Sequence, residues 1–282
     1  MALQPEPPSL AEQSPVLDRL RQALLSAERA SELFSLCNPL LAIGIAAIDT
    51  ALGGGLACGA LHEIAATRES ETAVATGFAL ALAARNARNS RRGLRTSRGQ
   101  ISSLPKTALW IAEDLSLAEN GQLYGPGLDQ AGIAPEHLIT VSAPRARDVL
   151  WAMEEALRCH AVGVVIGEVR AHGIEHVTTR RLSLAAAAGN TLGFLLRTLP
   201  DDDPSACATR WMIGAAPHHF PSPRFHDIGP PRWTVHLRRN RRGHPGTWIV
   251  EWNSVEQRFE LAKNPQPMAG TALDRSYRTT AA

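Results

Sequence analysis

The sequence has almost no lysine. Of its 29 basic residues only Lys106 and Lys263 are lysine; 27 acidic residues leave a formal net charge of +2. No global charge draws such a chain to nucleic acid, and the arginine bias, beside abundant Ala and Pro, reads as codon usage. Cysteine is also scarce. Cys37, Cys58, Cys159 and Cys207 lie far apart, so no pair has metal-ligand spacing and no disulfide framework is indicated. A reducing, cytoplasmic setting is expected. The opening MALQPEPPSL has neither a basic nor an apolar signal region. The longest uncharged apolar stretch, Leu182 to Leu196, is too short to span a bilayer and contains Asn190, so no membrane partner is expected.

What is present suits one large α/β domain. The chain has 282 residues, 44% of them hydrophobic and 20% charged. Residues 1–36 read as a Pro-rich tail and an amphipathic helix. Ser14 is the N-cap, Pro15 the first helical residue, and Leu17, Leu20, Leu24 and Ala27 form the apolar stripe. That stripe is expected to dock on the chain's own core or on a second copy. From Gly44 strands and helices alternate: ALHEIA, then ETAVATGFALALAARNA; TALWIAED; ARDVLWAMEEALRCH, then AVGVVIGEV; TTRRLSLAAAAGN, then TLGFLLRT. Such alternation predicts βαβ units and a mainly parallel central sheet, with ligands at the carboxyl ends of its strands.

Two segments interrupt the pattern. Residues 85–106 hold seven basic residues, no acidic one and no apolar periodicity, and read as a mobile basic loop. Residues 200–231 form a second loop rich in Pro, His and Asp, with TRWMIGA as one short strand inside it. Trp233, Val235 and Leu237 alternate with polar residues, as do Trp248, Val250 and Trp252, which predicts a β-hairpin with an Arg-rich tip. The main domain is thus expected over 37–262 and a disordered tail over 263–282.

The stretch GIAAIDTALGGGLACGALHEIAATRESET resembles the opening of the RecA superfamily, where Asp-x-x-Leu-Gly-Gly-Gly-Leu leads into a strand and a phosphate loop. Asp49, Leu52, Gly53, Gly54, Gly55, Leu56 and Gly59 carry the match. ALWIAED, LYGPGLDQAGIAPEHLITVSAP and AVGVVIGEV follow in the order of the later RecA segments, the last in the place of the Walker B strand. The resemblance implies a RecA-like core over roughly 37–250. Laid on the phosphate-loop pattern Gly-x-x-x-x-Gly-Lys-Ser/Thr, the first glycine falls on Ala65, the second on Ser70, the lysine on Glu71 and the threonine on Thr72. Only Thr72 survives. Lost glycines close the cradle of backbone amides, and Glu71 reverses the lysine's charge. One such charge pair is worth roughly 4 kcal/mol at about 4 Å and an effective dielectric near 20, and the reversal swings about twice that.

The Walker B carboxylate would fall on Gly167, with Glu168 beside it as a shifted substitute. Glu113 stands where RecA-type ATPases keep the carboxylate that activates water; without a phosphate site it reads as a strand-end hydrogen-bonding residue. No cofactor and no catalysis are expected. A RecA-like chain with a lost phosphate loop, closing on the Arg/Trp motif PRWTVHLRRNRRGHPGTWIVEW, is similar to the ImuA family. That resemblance implies an accessory role in SOS mutagenesis. It also implies the family's partners: an ImuB-type Y-family polymerase homologue and an error-prone DnaE-type polymerase, with RecA, DNA and self-association as further contacts. Two other readings stand beside it: a RecA-related cell-division inhibitor, and a RecA-type ATPase with an unusual nucleotide site.

Arg238, Arg239, Arg241 and Arg242 can hold DNA phosphates, with Trp233 or Trp248 stacking on bases. The competing reading is a solvated tip above buried tryptophans. His218, His219 and His226 lack metal-ligand spacing, and Asp201, Asp202 and Asp203 read as a wet loop, so no metal is expected.

Overall fold

A computed structural model of the chain describes residues 39–93, 107–170, 173–198, 203–217 and 229–262. Several expectations lie outside these residues: the Ser14–Phe34 helix, the 263–282 tail, His218, His219, His226, Asp201 and Asp202.

A two-residue ribbon opens the described chain, β1 (Leu40–Leu41) against β2 (Leu56–Ala57), around the short helix α1 (Ala46–Ala51). Asp49 holds this turn by accepting hydrogen bonds from the backbone N–H groups of Ile43 and Gly44. Gly55 has φ +142°, and a Cβ there would stand 2.5 Å from the Leu41 carbonyl oxygen. The glycine run is therefore a packing requirement of this corner.

The alternating elements follow: β3 (Leu61–Ala66), a 3-10 turn (Glu69–Glu71), α2 (Thr72–Gly93), β4 (Thr107–Glu113), α3 (Asp114–Asn120), α4 (Gly125–Ala131), β5 (Leu138–Ala143), α5 (Ala146–Leu157), β6 (Val162–Val169), α6 (His176–Gly189), β7 (Leu192–Arg197) and β8 (Thr209–Ala215). Three antiparallel strands close the chain: β9 (Arg232–Asn240), β10 (Gly246–Asn253) and β11 (Arg258–Leu261). One nine-stranded sheet takes them in the order β11-β10-β9-β8-β3-β7-β6-β4-β5. From β8 to β5 every pairing is parallel, and from β8 to β11 every pairing is antiparallel. This is the α/β class expected.

Helices cover both faces of the parallel half, so β3 and β7 are buried at every residue. On one face Phe78 and Leu82 of α2 pack with Ile64, Trp110, Phe194 and Trp211 of the sheet; on the other Val149, Met153 and Leu157 of α5 and Leu182 of α6 pack with Val165 and Leu195. α2 corrects one expectation. It runs to Gly93, so residues 85–93 are helical and do not belong to a loop. Arg85, Asn86 and Arg88 make polar contacts there, which an apolar count misses. Arg85 Nε donates to the Ala42 carbonyl, Asn86 to that of Gly163 and Arg88 to that of Gln257.

Candidate functional site

The residues aligned with the phosphate-loop pattern lie at the carboxyl ends of the parallel strands, where β3 turns into α2. Strand, turn and helix are in place, but the turn is not a phosphate cradle. None of residues 65–72 has a positive φ, so the alternating backbone that points successive N–H groups at an anion is absent there. Thr72 Oγ1 donates to the Glu69 carbonyl 2.7 Å away, so the one surviving motif residue is spent on the turn itself. Ala65 is buried within β3, and Ser70 is an exposed residue of the 3-10 turn.

Glu71 turns toward the neighbouring strand. Its Oε1 accepts from the Ala215 backbone N–H at 3.2 Å, at the end of β8, while Oε2 is buried without a hydrogen-bond partner among the described residues. The Thr67 N–H donates to the Ile213 carbonyl, so the same turn is tied twice to β8. Glu113, at the end of β4, accepts from the Arg170 backbone N–H at 2.7 Å. The Arg170 side chain pairs with Glu119 and reaches Glu69 at 3.5 Å. Arg170 thus stands among the carboxylates of Glu69, Glu113 and Glu119, with Glu168 close enough to Glu113 to feel its charge.

The Walker B positions separate across the sheet. A Cβ at Gly167 would stand 2.6 Å from Met153 Sδ, so that position faces α5 and has no room for a carboxylate. Glu168 faces the other way and accepts a hydrogen bond from Ser116 of α3. Burial pushes its carboxyl above the usual carboxylate range, the Ser116 hydrogen bond opposes this, and neighbouring Glu113 adds to it. A carboxyl group buried against α3 and already held by a serine is a poor magnesium ligand. Among the described residues no group of His, Cys, Asp and Glu is arranged to hold a metal ion.

The arginine hairpin sits at the opposite end of the sheet. β9 runs antiparallel to β8 with Thr209 opposite Asn240, which carries the 240–245 turn to the amino ends of the parallel strands. Arg238, Arg239, Arg241 and Arg242 are all exposed, yet two of them also brace the core. The guanidinium groups of Arg239 and Arg241 donate to the Ser205 carbonyl at 2.8 and 3.4 Å. Asn240 donates to the Ala51 carbonyl at 2.7 Å, and a Cβ at Gly243 would meet that same oxygen at 2.0 Å. The tip is therefore locked to the glycine corner. Trp233 is 3% exposed with its Nε1–H on the Val74 carbonyl, which removes it from base stacking; Trp248 is half-buried.

Sequence reasoning passed over two deeply buried polar groups of the frame, Glu63 and His62. Glu63, in the middle of β3, is 1% exposed and pairs with Arg197 of β7 at 3.4 Å and Arg210 of β8 at 3.0 Å. Its neighbour His62 bonds Thr209 Oγ1 and the Ala57 carbonyl on the other face. Two polar residues in a strand otherwise buried on both sides were the available signal, since such groups require internal partners.

The strand order and the turn at β3–α2 define a RecA-like α/β core. No protein-family model matches the chain. Two sequences named Protein ImuA, from Caulobacter vibrioides strains NA1000 / CB15N and ATCC 19089 / CIP 103742 / CB 15, are each 32% identical to it over 227 residues, covering 76% of this chain and 84% of the relative. The chain belongs to the ImuA family. Among solved structures, a crystal structure of the RadB recombinase is similar with a TM-score of 0.49 and 14% identity, covering 79% of this chain and 100% of that one. No helix among the described residues is long and apolar enough to cross a membrane.

Proposed function

We propose that this chain is a non-catalytic accessory protein of SOS-induced mutagenesis, acting as an adaptor in error-prone translesion DNA synthesis. Membership of the ImuA family supports the setting. One observation carries the non-catalytic part: the residue at the lysine position is Glu71, and its carboxylate is engaged by the Ala215 N–H of β8. A triphosphate entering here would displace that bond and meet the carboxylates of Glu69, Glu113 and Glu168. The partners of this reading are an ImuB-type Y-family polymerase homologue and an error-prone DnaE-type polymerase, with RecA and DNA as further contacts. Its place is the cytoplasm, at the nucleoid when DNA is damaged.

The test is a pull-down with the two purified partner proteins, with and without primed DNA, run beside an ATP turnover assay. Retention of the partners and turnover at background are expected. Turnover clearly above background that disappears in Glu113→Ala would overturn the non-catalytic reading. Failure to retain either partner would overturn the adaptor reading.

A further inference from the structure

A groove of about 580 Å³ is bounded by α2, α4 and the start of β9. Trp233 and Trp252 line it, with Leu80 of α2, Gln130 of α4, Pro231 and Ser254. No Asp, Glu, Lys, Arg or His is among its described lining residues, so it suits neither a phosphate nor a metal ion. Two observations point to an occupant. The first is an unused donor. Trp252 is 2% exposed and its Nε1–H has no hydrogen-bond partner among the described residues, whereas that of Trp233 is held by the Val74 carbonyl. Buried N–H groups are almost always partnered. The second is the space itself. Gly77 sits in the interior of α2, where glycine weakens a helix relative to alanine. Packing does not require glycine there: a Cβ would meet only Trp233, at an ordinary 3.7 Å. What glycine does at this position is keep the groove open.

We propose that the occupant is the chain's own Pro5–Pro8 segment, PEPP, in the polyproline II form. Extended Pro-x-x-Pro segments dock in aromatic-lined grooves. Proline has no N–H, so the segment offers carbonyl acceptors and few donors. That complements a groove whose unused group is an N–H. With three residues per turn, Pro5 and Pro8 share one edge of the segment, and Glu6 lies on another, clear of the uncharged walls. The tether supplies the address. The described residues begin at Pro39, β1 lies against α2, and Arg85 of α2 holds the Ala42 carbonyl. Gly77 stands about 12 Å back along that helix. Residues 9–38 reach well beyond this distance, since Ser14–Phe34 alone would measure about 30 Å as a helix. Such a tether holds the segment at an effective concentration of about 1 mM, enough for a contact too weak to form between separate molecules. A Pro-rich segment of another protein would fit the same walls without this advantage.

Amide hydrogen exchange on the full chain at about 5 μM reads the contact directly. The reference variant is Pro5→Ala with Pro8→Ala, which alters no described residue. With a Kd of about 0.1 mM the tethered contact is open only about one tenth of the time. Amides of residues 77–81 and 127–131 should therefore exchange about tenfold faster in the variant than in the wild type. A synthetic peptide of residues 1–13, added to the variant at about 1 mM, should restore protection. The same peptide with both prolines replaced by alanine should not. Gly77→Leu fills the groove and should abolish the peptide's effect, with an unchanged circular dichroism spectrum. Trp252→Phe removes the N–H and keeps an aromatic ring, and should weaken the peptide about fivefold. Equal exchange in the wild type and the double-alanine variant overturns the proposal. So does a peptide effect that survives Gly77→Leu. Protection that appears only as the chain is raised to about 100 μM means that a second copy supplies the segment, and overturns the tethered contact.

Discussion

Glu63 shows how much of the core rests on single residues. Its carboxylate balances two guanidinium groups, Arg197 and Arg210, which are 4% and 9% exposed as side chains. Removing one partner of a buried ionic group leaves uncompensated charge, at a cost of about 3–5 kcal/mol. Glu63→Ala should therefore lower the unfolding free energy by that order in urea denaturation; a loss below about 1 kcal/mol would show that the triad is not holding β3 to β7 and β8. His62 supplies a pH signature. Burial, more than any other influence, lowers its pKa to about 4 from an ordinary 6.5. The unfolded chain binds the proton more readily, so the stability that His62 contributes is complete above about pH 6.5 and is lost as pH falls toward 4. The window corresponds to roughly 3 kcal/mol. Comparing the wild type with His62→Gln at pH 7 and pH 5 isolates it: the wild type should lose more on acidification, and equal losses would refute the assignment. Glu71→Lys is the third residue-scale case. It should not restore nucleotide binding, because Ala65 and Ser70 still deny the cradle and Glu69, Glu113 and Glu168 remain. A clear thermal shift with millimolar Mg-ATP would contradict this.

At the scale of elements, the antiparallel end of the sheet is fastened by aromatic rings. Phe78 of α2 meets Trp233 at 5.7 Å and Phe259 at 5.5 Å between centroids, and Trp252 meets Phe259 at 4.9 Å. The edge-to-face contacts of Phe78 with Trp233 and of Trp252 with Phe259, and the tilted one of Phe78 with Phe259, add to the area they bury. Phe259→Ala should cost about 3–5 kcal/mol and loosen β11 first, visible as faster amide exchange in 258–261 than in β9. The hairpin itself was legible, since Trp233, Val235 and Leu237 alternate as a half-buried strand must. The parallel strands were legible as continuous apolar runs between helices. The end of α2 was not, because Arg85, Asn86 and Arg88 hold it through distant backbone carbonyls. Nor was the buried turn at Ala206 and Cys207, where a loop segment fills the α6 side of the sheet through the bond from the Ala206 N–H to Thr179 Oγ1. At the site, the missing phosphate-loop residues could be read from the sequence. So could Glu113 as a strand-end hydrogen-bonding residue; the partners of Glu71 and Glu113 could not, since Ala215 and Arg170 are remote along the chain.

Taken as a whole, the molecule has two unlike poles. Carboxylates gather at the carboxyl ends of the parallel strands, and Arg238, Arg239, Arg241 and Arg242 at the amino ends. DNA approaching such a body is expected at the arginine pole, repelled from the other. An exposed cluster on a locked hairpin gives phosphate contacts without base reading. Binding should be weak and should fall steeply with salt, and the slope of log affinity against log salt should flatten by roughly 0.9 for each duplex phosphate contact removed. The hairpin divides its arginines between two tasks, and the variants should divide with them. Arg238→Ala with Arg242→Ala should lower DNA affinity and flatten the slope. Arg239→Ala with Arg241→Ala should lower the melting temperature as well, because both donors to the Ser205 carbonyl are lost. If the first pair leaves affinity and slope untouched while damage-induced mutagenesis fails in cells, the arginine pole docks a protein. If it changes neither, those two side chains touch neither DNA nor a protein partner.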